Sequence, residues 1–208
     1  MRIRVAAPRR VKGRGSDGLF GIGGFWRFWT CKSSFNVAEW TLRSIYVEIQ
    51  MSHLQNGAAF PALRIPAVGG GVIQIPESLL GSFGVVLIYR GAWCPYCQAQ
   101  LAGFQRAGEK LAQAGIKVIA FSVDDEATTK GVIEKHGLSF PVGHSADLDE
   151  VVAATGAYAN HTPRHLQTTG FLLAPDGKIL NAVYSSGPIG RLVADDVIGM
   201  VAYLKSKA

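Results

Sequence analysis

The chain has 208 residues, 48% of them hydrophobic and 17% charged, enough apolar material for one core of ordinary domain size. Its formal charge of +6 is confined to the N-terminus: residues 1–50 hold nine Lys and Arg against three Asp and Glu, and residues 51–208 hold twelve of each. The body of the chain therefore lacks the net field that nucleic acid or an anionic membrane would select, three cysteines are too few for a disulfide scaffold, and no apolar run nears the roughly 18 residues of a membrane span.

Residues 1–50 mix Arg, Gly and three of the four Trp without helical or alternating periodicity. Asp17, the glycines and Arg27 interrupt what a secretory signal would need as a clean apolar stretch, and Pro8 with the glycines opposes the amphipathic helix of a transit peptide. Composition becomes that of an ordinary domain at Met51. Residues 1–50 are therefore expected to be a disordered or spurious extension and 51–208 the domain; a basic arm that binds nucleic acid or membrane is the other reading of the first segment. Cys31 lies there and receives no catalytic role.

Val72–Ile75 is a short apolar strand after a glycine run, and residues 76–81 suit one helical turn stopped by Gly81. Val85–Arg90 (VVLIYR) is nearly continuous and β-branched, the signature of a strand buried on both faces. After Cys94-Pro-Tyr-Cys97, Leu101, Phe104 and Leu111 recur at helical spacing up to Gly115. Ile116–Val123 is again strand-like, which makes a βαβ unit with parallel strands. Asp125 can cap a helix ending near His136 and Gly137, and Asp147 opens a capping-box pattern for a short helix ending near Gly156. Gly170–Ala174 and Lys178–Tyr184 flank the turn Pro175-Asp176-Gly177. Val193, Val197, Met200, Val201 and Leu204 predict a terminal helix over one face of the sheet.

On this layout Pro95 takes the first helical position, where its missing N–H costs nothing, and Cys94 falls near the N-cap. Unpaired N–H groups and the helix dipole favour a thiolate there. Three residues on, Cys97 returns to the same side of the helix. That spacing predicts attack by Cys94 on a peroxide or disulfide and closure of a disulfide by Cys97, with no metal and no cofactor. Trp93 would cover the pair; Arg90 would add positive charge or serve as a solvated strand end. A zinc-stabilised binding module is the alternative, since His161 and His165 could complete a Cys₂His₂ set, but 63 residues separate the two pairs, far beyond a finger linker. A reducing, cytoplasmic setting is expected. A homodimer through a tyrosine or valine face is as compatible with the periodicity as core packing.

Over most of residues 55–205 the chain resembles the alkyl hydroperoxide reductase/thiol-specific antioxidant (peroxiredoxin-like) branch of the thioredoxin superfamily. The segments that carry this are NGAAFPALRIP, VVLIYRGAWCPYC, FSVDD, LSFPVGHSADLDEVVAATGAY and TGFLLAPDGKIL. The resemblance implies an α/β, thioredoxin-like fold with a central mixed sheet flanked by helices. It also implies reduction of hydroperoxides or disulfides at the expense of an external thiol, such as thioredoxin, glutaredoxin or glutathione. A dedicated thiol-disulfide oxidoreductase is the rival within that chemistry. In the family pattern Pro-x-x-x-Thr-x-x-Cys, Gly91 stands at the Thr position and offers no hydroxyl to a peroxide. Arg164 is the candidate for the family's distant peroxide-binding arginine. Thr168 stands where thioredoxin-type proteins place a cis-proline before the strand that faces the dithiol.

Overall fold

The structure is a computed structural model that describes residues 53–207; the expectation for residues 1–50 lies outside the described residues. The domain opens with a hairpin of β1 (Leu63–Pro66) and β2 (Val72–Ile75), followed by a 3₁₀ turn at Glu77–Leu79. Only β2 was legible in the sequence; β1 is a four-residue strand in which Leu63 and Ile65 point inward.

The central sheet begins with β3 (Phe83–Ile88). The chain returns through α1 (Pro95–Arg106) and α2 (Gly108–Gln113) to β4 (Ile116–Phe121). β3 and β4 are parallel, with Val85 opposite Val118 and Leu87 opposite Ala120. The sequence predicted one helix between them, and the structure divides it at Ala107, which leaves the helical path just before Gly108, a residue that favours helix interiors poorly. Next come α3 (Glu126–His136), β5 (Val142–Gly143) and α4 (Leu148–Thr155). Asp125 caps α3 by accepting the Thr128 N–H, Asp147 caps α4 by accepting those of Asp149 and Glu150, and both helices end on a glycine in the left-handed region, Gly137 and Gly156.

A small hairpin that the sequence did not announce, β6 (Ala159–His161) with β7 (Arg164–Leu166), precedes β8 (Thr169–Leu173) and β9 (Ile179–Tyr184). Helix α5 (Ala194–Lys205) closes the domain. The five-stranded sheet runs β5-β4-β3-β8-β9, with β8 antiparallel to both neighbours.

β3 is buried along both faces, as its sequence implied. Val85, Leu87 and Tyr89 pack with Leu101 and Phe104 of α1 and with Val197 and Val201 of α5. Val86 and Ile88 pack on the other side, with the β1–β2 hairpin and with Leu148 and Val151 of α4. Each such side chain contributes about 1.5–3 kcal/mol by leaving water, so the strand that leads into the dithiol turn is anchored from two directions. Among the described residues no helix is long and apolar enough to cross a membrane.

Candidate active site

The chain leaves β3 and turns through Gly91-Ala92-Trp93 into α1. Cys94 is the N-cap in extended conformation, and Pro95 follows at the start of the helix. An extended N-cap points its side chain back over the first helical N–H groups, and here the Cys97 N–H donates to Cys94 Sγ at 3.3 Å. Both sulfurs are free, and their residues are 0% and 1% exposed.

Two arginines face them. The Arg90 N–H donates to Cys97 Sγ at 3.3 Å, and Arg90 Nη1 lies 4.0 Å from Cys94 Sγ. Arg191, from the segment between β9 and α5, places Nη2 3.2 Å from Cys97 Sγ and 3.7 Å from Cys94 Sγ. Its Nη1 donates to Gln100 Oε1 at 2.6 Å and its Nε to the Pro188 carbonyl. Gln100, itself buried, uses its amide nitrogen to hold the Leu192 carbonyl at 2.8 Å.

This shell divides the sulfurs. Burial opposes ionisation of Cys94, but hydrogen bonds from the Cys97 thiol and N–H, with the charges of Arg191 and Arg90, outweigh it and hold the thiol below its ordinary value. At Cys97 burial again comes first, and the hydrogen bond it gives to Cys94 adds to it. Arg191 and the Arg90 N–H pull the other way without prevailing, so Cys97 lies above the ordinary thiol value. The arrangement favours ionisation of Cys94 ahead of Cys97.

The other residues singled out in the sequence fall at varying distances from the sulfurs. Gly91 has φ +147°, and a Cβ there would stand 2.5 Å from Trp93 Nε1 and 3.0 Å from Asp124 Oδ1. A threonine does not fit without displacing both. Asp124 was not foreseen; it accepts the Ala92 N–H at 2.7 Å and the Ser122 hydroxyl at 3.1 Å, tying the loop before Cys94 to the end of β4. Trp93 is 55% exposed, with the Arg90 guanidinium 4.6 Å from its ring centroid and the His165 ring edge-on at 5.2 Å.

Thr168 is buried at the entry to β8; its hydroxyl has no partner and its carbonyl accepts the Ser185 N–H. The cis peptides fall elsewhere, before Pro76 and Pro163. Arg164 donates to Asp149 Oδ2 at 3.1 Å in a pair more than half exposed. The distant guanidinium that reaches the sulfurs is that of Arg191, 97 residues beyond Cys94. No motif marks it, because it precedes α5 in a loop of irregular sequence. His161 is exposed, and His165 bonds the Pro163 carbonyl. Among the described residues no group of three or more His, Cys, Asp or Glu could hold a metal ion, so the Cys₂His₂ set is not assembled.

Comparison with known proteins matches residues 56–182 to the model of the AhpC/TSA family. The chain is similar to the thiol-disulfide oxidoreductase ResA of Bacillus thuringiensis, 26% identical over 132 residues, which is 62% of this chain and 70% of that protein. It is also similar to a peroxiredoxin of Chlorobaculum tepidum, 27% identical over 159 residues and 72% of each chain. Mycobacterium tuberculosis AhpC superposes with a TM-score of 0.63 at 20% identity, over 75% of this chain and 96% of that one. That likeness bears on the fold alone, and the fold is the thioredoxin-like mixed sheet with flanking helices that the sequence led us to expect.

Proposed function

Because the chain belongs to the AhpC/TSA family, we propose that it is a dithiol oxidoreductase in which Cys94 attacks the O–O bond of a hydroperoxide or the S–S bond of a disulfide, and Cys97 then closes an intramolecular disulfide. The observation that carries this reading is the setting of Cys94: at the N-cap its sulfur accepts the Cys97 N–H while two guanidinium groups face it.

With a hydroperoxide, the Cys94 thiolate bonds to the outer oxygen, the O–O bond breaks, and the alkoxide leaves and takes a proton from water. The Cys97 sulfur displaces the hydroxyl of the resulting sulfenic acid as water, forming the S–S bond. Two electrons pass from the two thiols to the peroxide. With a disulfide, the same thiolate forms a mixed disulfide and Cys97 expels the second thiol. An external thiol of the thioredoxin, glutaredoxin or glutathione kind returns the pair to the reduced form, a regeneration that suits a reducing compartment such as the cytoplasm.

Gly91 favours disulfides as the preferred substrate. It offers no hydroxyl to the leaving oxygen, which weakens stabilisation of the charge that develops there.

The deciding experiment mixes pre-reduced protein rapidly with hydrogen peroxide or with oxidised glutathione, in wild type, Cys94→Ser and Cys97→Ser. A fast first step that needs Cys94 and a second that needs Cys97 support the dithiol mechanism, and the faster oxidant names the substrate class. Reaction with both oxidants no faster than that of a free thiol would sink the proposal.

A further inference from the structure

The dithiol mechanism needs two different anions in succession. Cys94 must be a thiolate when it attacks the substrate, and Cys97 must become one when it attacks Cys94. Two adjacent thiolates repel, so the pair carries one negative charge at a time. The burial and the hydrogen bond that keep Cys97 protonated in the reduced enzyme become an obstacle at the second step unless something is placed to receive its charge.

Arg191 is so placed. Its Nη2 is nearer to Cys97 Sγ, at 3.2 Å, than to Cys94 Sγ, at 3.7 Å. Its other two nitrogens are already committed, Nη1 to Gln100 and Nε to Pro188. Gln100 in turn grips the Leu192 backbone, so the guanidinium is pinned from both sides of its own segment. The side chain of Leu192 is seated over Gly170, where a Cβ would come within 2.9 Å of it. Arg90 is less suited to the second step: its guanidinium is given over to the Trp93 ring and stands 4.0 Å from Cys94 Sγ, and only its backbone N–H serves Cys97.

We propose that Arg191 is a counter-cation shared by the two half-reactions, holding the charge of Cys94 in the reduced enzyme and that of Cys97 once Cys94 is bonded to oxygen or to a foreign sulfur, with Gln100 as the residue that positions it. This rests on the dithiol reading above. Once Cys94 is oxidised it accepts far less strongly from the Cys97 thiol, which removes one of the two effects that raise Cys97, while Arg191 and the Arg90 N–H, which lower it, stay in place. The resolving sulfur is then activated by the departure of the first charge, and no carboxylate base is required beside it.

The other ionisable groups around the pair do not fill this role. Tyr89 at the end of β3 is buried, and burial raises it. Asp124 beyond β4 is bonded to the Ala92 N–H and Ser122. His165 meets Trp93, not sulfur. Lys135 and His136 of α3 bond Gln98, and Asp195 and Asp196 of α5 are exposed.

The test uses the full chain in a Cys31→Ser background and the neutral reagent dithiodipyridine. The Cys94 thiolate takes one thiopyridyl group and releases one thiopyridone; the Cys97 thiolate then attacks Cys94 Sγ, forms the S–S bond and releases the second. The second phase is intramolecular and independent of reagent concentration, so its pH profile reads Cys97 alone. In Arg191→Met its midpoint is expected to move up by about one unit, with the neutral-pH rate down about tenfold. Arg191→Lys is expected to restore part of the shift, and Gln100→Leu, which removes no charge, to move the midpoint the same way by less.

A midpoint identical to wild type in Arg191→Met, with both thiopyridones still released, would overturn the shared role and leave the dithiol mechanism standing. Absence of any fast release from the wild-type pair would instead remove the dithiol reading itself. If Arg191→Met does not fold, as judged by circular dichroism, Gln100→Leu decides alone, and an unmoved midpoint there overturns the proposal.

Discussion

Gln100 and Arg191 are 91 residues apart in the chain, and the amide oxygen of one accepts a hydrogen bond from the guanidinium of the other at 2.6 Å. Gln100 stands one helical turn beyond Cys97, on the helix whose first residues hold the dithiol, while Arg191 belongs to the last connection of the domain. Their bond joins the helix that carries the dithiol to the segment that brings a guanidinium to it. The site is therefore a product of the β3–α1 turn and of how the C-terminal part folds back upon it.

The unequal sulfurs predict an order of labelling. Iodoacetamide reacts with thiolates, and the factors that hold Cys94 below the ordinary thiol value should make it react at pH values where a free cysteine, with a pKa near ~8.5, hardly does. Its reactivity is lost as pH falls through the lowered value. Cys97, held above the ordinary value, should label only on the alkaline side. The same shifts carry signs for stability: ionised Cys94 favours the folded state above the unfolded thiol's pKa, an advantage that fades as pH falls through the folded value, whereas Cys97 disfavours the folded state as pH rises through its unfolded value. Peptide mapping after alkylation at stepped pH checks the order, and labelling of Cys97 before Cys94 would contradict it.

Gly91→Thr returns the hydroxyl of the peroxiredoxin pattern to its place, and we expect it to lower peroxide reduction. The new Cβ meets Trp93 and Asp124 on a backbone at φ +147°, a conformation that costs a β-branched residue roughly 1–3 kcal/mol. The loop before Cys94 should shift and release the Ala92–Asp124 bond. Stopped-flow peroxide reduction together with a melting curve tests this; a faster peroxidase of unchanged melting temperature would refute it.

Arg164→Gln should leave both oxidation steps within about twofold of wild type. The pair with Asp149 is exposed at both ends, and exposed pairs contribute about 0–1 kcal/mol. A tenfold loss of rate in this variant would mean that Arg164 swings to the substrate during turnover.

Gly170→Ala probes the seat of the C-terminal segment. Its methyl group would lie 2.9 Å from Leu192 Cβ, and overpacking of this kind typically costs about 1–3 kcal/mol. Because Leu192 adjoins Arg191, the variant should also raise the pH at which Cys94 becomes reactive. A lower melting temperature with an unchanged Cys94 labelling profile would show that the two residues move independently.

What the sequence determined by itself is local. Asp125 and Asp147 cap their helices through N–H groups two or three residues away, Gly137 and Gly156 end them in the left-handed region, and Pro95 starts α1 behind Cys94. Each of these depends on backbone geometry within one turn, so residue type and spacing were enough to read it. The continuous apolar run of β3 and the helical spacing of Leu101 and Phe104 were legible for a different reason, because burial on two faces or on one leaves its pattern of apolar residues in the chain. The hairpin of β6 and β7 was not legible: its strands are three residues each, too short for any period to show. Nor was the choice between Arg164 and Arg191. Neither arginine is marked by a motif, and only the packing of Leu192 over Gly170 and the reach of Gln100 bring one of them to the sulfurs. The Cys94–Cys97 spacing announces a reactive thiol pair, but a guanidinium 94 residues beyond Cys97 takes part in tuning it only because the tertiary structure excludes water from the pair and closes that distance to 3.2 Å, where charge acts with little screening.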